Sequence, residues 1–212
     1  MIFATVAVGE QYIDSVCENV VRFEDQGYDI HILTDKPHRF NKYTIYEYPN
    51  LIFSYTDKLL FSIMLARKFK MDVFYSDVNK IGEVTPAFYE DFKGSENITV
   101  KGTWESFTPE WSEIKYQGEY WAPFIRFLSI NNVTPSLCPA FCEQHIYIPK
   151  NLNYHSILLH LETVKPVLEY CSIVGENKYP GIGSGEGAGL GYALFKNNLT
   201  VDSFNNSYFS KG

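Results

Sequence analysis

The residues best suited to chemistry fall in the stretch Val73-Phe74-Tyr75-Ser76-Asp77-Val78-Asn79-Lys80. An apolar run stops at a carboxylate, passes one residue and offers an amide. One reading is a turn, because Asp and Asn side chains bond their own backbone and tolerate turn geometry. The other is a ligand pair. On an extended chain, residues two apart point to the same side. Asp77 and Asn79 would then offer two oxygen donors to one hard cation such as Mn²⁺ or Mg²⁺, which takes oxygen ligands and bridges to phosphates. Asn79 stands where a second acid would add charge, so such a site binds metal weakly.

Other polar groups recur at the ends of predicted elements. Asp35 follows a strand in Thr34-Asp35-Lys36-Pro37, and Lys58 lies at the start of the helical stretch 57–69. The run from Gly181 to Gly191 has glycine at every second position and Glu186 as its one ionisable group. It has neither the GK[ST] of a phosphate loop nor the GxGxxG spacing. Its glycine content suggests a mobile flap that excludes water from a bound ligand.

The elements that must position these groups alternate. Residues 2–8 are apolar and β-branched, as in a strand buried on both faces. Ile13, Val16, Cys17, Val20 and Val21 recur at helical spacing, Gly27 stops the helix, and 28–33 form a second strand. This is a β-α-β start, which predicts a parallel sheet with a right-handed crossover. A short strand over 44–48, the helix 57–69 and the strand 73–75 follow. Asp77 thus comes at the carboxyl end of a strand, where open α/β sheets bind ligands. Later segments read as a short helix ending near Phe92, a strand at 99–102 and an irregular stretch over 103–123. A short helix within 121–130, a strand over 144–149 and a helix over 154–174 broken at Pro166 come next. Helix-like 190–195, strand-like 199–201 and an Asn- and Ser-rich tail complete the chain.

Composition narrows the function. The 212 residues suit one α/β domain, and 45% hydrophobic with 20% charged content is ordinary for a soluble globular protein. A net charge of −7 argues against nucleic-acid binding, which needs a basic footprint. A nucleotide ligand remains open if a cation offsets its charge. Four cysteines without a CxxC pair suggest free thiols in a reducing cytosol rather than zinc or a disulfide scaffold. No stretch has the length of a membrane span or the layout of a signal peptide, so a cytoplasmic protein is expected. No motif sets an oligomeric state.

The succession IFATVAVGEQY, GYDIHILTDKP, DKLLFSIMLARKF and DVFYSDVNKIG resembles the nucleotide-sugar half of a GT-A glycosyltransferase. Within that fold it is similar to family 6, the retaining α-1,3-galactosyl and N-acetylgalactosaminyl transferases related to the blood-group enzymes. D-x-N here lies between their D-x-D and the N-x-N of bacterial members. The resemblance implies a Rossmann-like, mostly parallel sheet flanked by helices, with 1–92 binding the nucleotide sugar, 93–204 forming the acceptor and catalytic half, and 205–212 a tail. It assigns Val6, Ala7, Val8 and Tyr12 to the uracil and ribose pocket. Asp35 matches its Thr-Asp strand end, and Lys58 its basic residue facing the diphosphate. Asp77, Val78 and Asn79 match its metal and diphosphate motif, with Mn²⁺ or Mg²⁺ as cofactor. Glu186 matches, without its Asp and Ser neighbours, the Glu beneath the anomeric carbon. The implied partners are a UDP-sugar donor and a glycan or other hydroxyl acceptor, the latter met by Trp121 and His145 within a Trp-rich middle. Two other readings stay open: a non-catalytic nucleotide- or sugar-binding relative, and a sugar nucleotidyltransferase. The second expects a basic glycine-rich loop after the first strand, where this chain has GEQYID.

Overall fold

The computed structural model describes residues 1–48, 54–84, 92, 94–106, 121–178 and 185–203, without the side chains of 101–106, 136, 139, 142, 174–178, 186 and 203. The acidic and Trp-bearing stretch 107–120 and the start of the glycine run, 181–184, lie outside the described residues, as does the side chain of Trp104.

The β-branched N-terminal run forms β1 (Ile2–Ala7), buried along its whole length. Gly9 then ends the strand and α1 (Glu10–Glu24) packs Ile13, Val16, Val20 and Phe23 onto the sheet. β2 (Asp29–Thr34) and β3 (Thr44–Glu47) follow, then α2 (Thr56–Phe69) and β4 (Val73–Ser76). β1 pairs in parallel with β2 on one side and β4 on the other, and β2 with β3. The predicted parallel start is therefore present.

The second half adds β5 (Ile98–Ser106), α3 (Ala122–Ile130), β6 (Pro139–Ile148), α4 (Tyr154–Lys178), α5 (Glu186–Lys196) and β7 (Val201–Ser203). β6 enters antiparallel between β4 and β5, and β7 pairs in parallel with β5. Among the described residues the result is a mostly parallel mixed sheet of seven strands in the order β3-β2-β1-β4-β6-β5-β7.

Alternation along the strands divides the core. Ile2, Ala4, Val6, Val73 and Tyr75 join α2, α4 and α5 on one face. Phe3, Ala7, Ile30, Ile32 and Phe74 join α1 on the other. A further cluster unites α3, α4 and α5 through Phe124, Leu128, Leu168 and Tyr192. Each fully buried side chain of this size contributes about 1.5–3 kcal/mol of transfer free energy.

Several segments differ from expectation; β5 runs on to Ser106 through residues expected to be irregular, and β7 covers Val201–Ser203 rather than 199–201. α4 continues through Pro166, although a proline within a helix removes one backbone bond. Val164, Leu168 and Cys171 are fully buried along this stretch, and their packing holds the helix through it. From Glu186 onward the glycine run is not a flap but the opening of α5, with Ala188, Leu190 and Tyr192 buried. Its glycines allow close approach: a Cβ on Gly187 would lie 2.0 Å from the Phe141 carbonyl oxygen. Finally, β6 starts at Pro139 rather than Gln144 and carries an irregularity. Ile146 pairs with Val100 and Cys142 with Gly102, so four steps along β6 oppose two along β5. Such a bulge bends a strand and re-aims its side chains.

Candidate functional site

The chain runs outward from β1 in both directions, to β2 and β3 on one side and to β4 on the other. That reversal opens a crevice at the carboxyl ends of β1 and β4. A cavity of about 200 Å³ lies there, lined by Val6, Val8, Tyr12, Tyr55, Lys58, Tyr75, Asp77, Val78 and Asn79. Seven of these are residues singled out from the sequence: Val6, Val8, Tyr12, Lys58, Asp77, Val78 and Asn79.

Two expected members stand elsewhere. Ala7 alternates to the opposite face and is fully buried in the layer of α1. Asp35 supports the site from beside it, since its Oδ1 accepts the Gly9 backbone N–H at 3.0 Å. Gly9 has φ +104°, a conformation that L side chains rarely adopt. Asp35 therefore pins the loop that carries Val8 toward α1.

The polar centre of the cavity is Lys58, only 3% exposed in the first turn of α2. Positive charge at a helix N-terminus opposes the macrodipole, and buried lysine needs partners. It has them. Lys58 Nζ lies 3.0 Å from Asp77 Oδ1 and 3.3 Å from Oδ2, and 3.6 Å from Glu143 Oε1. Tyr75, two residues before Asp77, donates its hydroxyl to Asp77 Oδ1 at 2.6 Å.

The D-V-N segment is a turn, not an extension of β4. The strand ends at Ser76, and the Lys80 N–H bonds the Asp77 carbonyl at 2.8 Å. Both Asp77 and Asn79 reach the cavity, but not by sharing a strand face as the sequence suggested. Asp77 is joined to β6 through its own N–H, which donates to Gln144 O at 2.8 Å.

Asp77 and Asn79 do not fit the Mn²⁺ or Mg²⁺ implied by the resemblance. The Asp77 carboxylate already takes Lys58 on both oxygens and Tyr75 on one, and Asn79 brings no charge. A divalent ion about 5 Å from the ammonium would be repelled by roughly 7 kcal/mol at an effective dielectric near 20. Among the described residues no group of three or more His, Cys, Asp or Glu side chains is arranged to hold a metal.

Neither acceptor candidate reaches the cavity. His145 is fully buried on β6, with Nδ1 3.0 Å from Ser76 Oγ and Nε2 3.9 Å from Glu83 Oε2. Trp121 is 3% exposed and packs on Phe124 and against Gly185. Both are buried and neither lines this cavity. Glu186 opens α5 with its backbone, and its side chain lies outside the described residues.

Sequence reasoning missed Tyr55, Tyr75 and Glu143. Tyr75 had a signal, its i,i+2 relation to Asp77. Glu143 had none, because the bulge that turns it toward Lys58 is a property of the β5–β6 pairing. No protein-family model and no curated protein matches this chain.

Proposed function

We propose that the protein is a glycosyltransferase of GT-A type, moving a hexose from a UDP-sugar to a hydroxyl acceptor with retention. One observation carries this reading. Residues expected separately, from β1, α1, α2 and the turn after β4, converge on one cavity at the sheet's switch point. Val6, Val8 and the rings of Tyr12 and Tyr55 give it apolar walls for a base and ribose. Lys58 supplies positive charge where the diphosphate would lie. Stabilising charge that develops on a leaving group is the largest lever such a site has. In this reading Glu186, in the first turn of α5, is the residue that acts at the anomeric carbon.

Thermal unfolding with UDP and a panel of UDP-hexoses tests the reading. Ligand at 100 times its Kd adds about 2.7 kcal/mol, which for a chain of this size raises Tm by roughly 5–10 °C. No shift with any nucleotide defeats it. Transfer or donor hydrolysis then separates an enzyme from a binding protein, and E186Q is expected to lower turnover by about 100-fold or more. Asp77, already held by Lys58 and Tyr75, is the observation that favours a binding protein. Nucleotide binding without turnover would establish that second reading.

A further inference from the structure

Three elements meet at one ammonium group, and a fourth closes over them. Lys58 comes from α2, Asp77 from the turn after β4 and Glu143 from the bulge of β6. The first turn of α5 closes over the last of these: a Cβ on Gly187 would lie 2.6 Å from Glu143 Oε2. Glu143 is only 13% exposed, so its charge is held near Lys58 rather than spent on solvent. The sequence offered one acid and one amide as a cation site. The structure places two acids around a cation that belongs to the chain.

We propose that Lys58 is the site's built-in cation, occupying the place of a divalent metal between two carboxylates, and that Glu143 rather than Asn79 is the second carboxylate. The placement of the cation stands on the contacts alone. Its consequence for a diphosphate rests on the reading under Proposed function: phosphate oxygens would accept Nζ–H bonds in exchange for a carboxylate, and no metal would be required. A further consequence concerns the protein without ligand. Removing the ammonium leaves two acids converging on one vacated position, a donor set that suits a hard cation.

The experiment uses the full chain as wild type, K58M, E143Q and K58M/E143Q. Mn²⁺ is titrated without nucleotide, and UDP is titrated in EDTA and in excess Mn²⁺. Wild type is expected to bind UDP with less than about a threefold difference between the two conditions. K58M is expected to bind Mn²⁺ at least about tenfold more tightly than wild type, and to lose that gain in the double variant. E143Q keeps Lys58 and removes a neighbouring negative charge, so UDP should bind about tenfold more tightly in EDTA. A wild-type requirement for Mn²⁺, equal Mn²⁺ affinity in wild type and K58M, or unchanged or weaker UDP binding in E143Q would each overturn the proposal. If K58M does not fold, wild type and E143Q decide it. If UDP binds wild type under neither condition, the functional reading fails, and the Mn²⁺ titrations still decide the place of the cation.

Discussion

Along the seam between β4 and β6 stand two polar clusters built from similar parts. On the cavity side, Lys58 is held by Asp77 and Glu143, with the Tyr75 hydroxyl on Asp77. On the side of α1, His145 stacks on Phe74 and bonds Ser76, with Glu83 at 3.9 Å and Lys80 beyond it. The second has the composition of a Ser-His-acid catalytic set. Ser76 and His145 are each fully buried, however, so no substrate can reach the hydroxyl. The first cluster faces an open cavity and holds a charge that burial makes costly. Acid, base and hydroxyl thus make a sealed brace on one face of the seam and line an open cavity on the other. Access, not residue type, separates them.

The comparison is broken most directly at Lys58. K58M leaves Asp77 and Glu143 facing each other without their shared partner. Removing one member of a buried ion pair costs about 3–5 kcal/mol. Both acids keep some solvent contact, so about 3 kcal/mol is expected in urea unfolding. A loss under about 1 kcal/mol would mean that the cavity cluster is no more demanding than a surface pair.

Gly187 comes next. Alanine normally gains up to about 1 kcal/mol over glycine in a helix. Here the added methyl meets the Phe141 carbonyl, a backbone atom that cannot swing aside. G187A should instead lose about 2 kcal/mol, within the range for overpacking, measured by the same unfolding curve. A gain would show that α5 need not approach β6 closely to cover Glu143.

His145 sharpens the contrast from the sealed side. H145Q should cost about 1–2 kcal/mol through the disrupted contact with Ser76. UDP affinity, measured by calorimetry, should stay within about twofold, because His145 does not line the cavity. A loss of UDP binding that exceeds the loss of stability would merge the two clusters into one functional unit.

How far these features could be read in advance depended on how local they are. The β-α-β start was legible because hydrophobic period and glycine stops lie within a few residues of each other. Lys58 and Asp77 could be linked by order alone, a helix start preceding a strand end. The extended geometry assumed for Asp77 and Asn79 failed because the strand ends at Ser76 and a turn begins at Asp77. Glu143 and His145 share parity on β6, and simple alternation puts both on one face. The bulge between Cys142 and Ile146 separates them, and it arises from pairing with β5, a strand distant in sequence. The alternate glycines misled for a related reason. Glycine permits both mobility and close packing, and only the position of β6 shows that Gly187 serves packing.

The smallest expected effect sets the baseline for pH work on the seam. His160, on α4, has a pKa pushed below its ordinary value of 6.5. Burial is the main cause, followed by the charge of Lys196, with a bond to the Ser156 backbone acting in the opposite direction. Between the lowered folded value and 6.5, the unfolded chain binds a proton that the folded chain does not. Stability must then rise with pH across that window, and must fall as pH drops below 6.5. H160Q removes this contribution. Urea unfolding between pH 5 and 7.5 should therefore show a shallower loss toward acid in H160Q than in wild type. If H160Q and wild type share one slope, His160 does not titrate differently on folding.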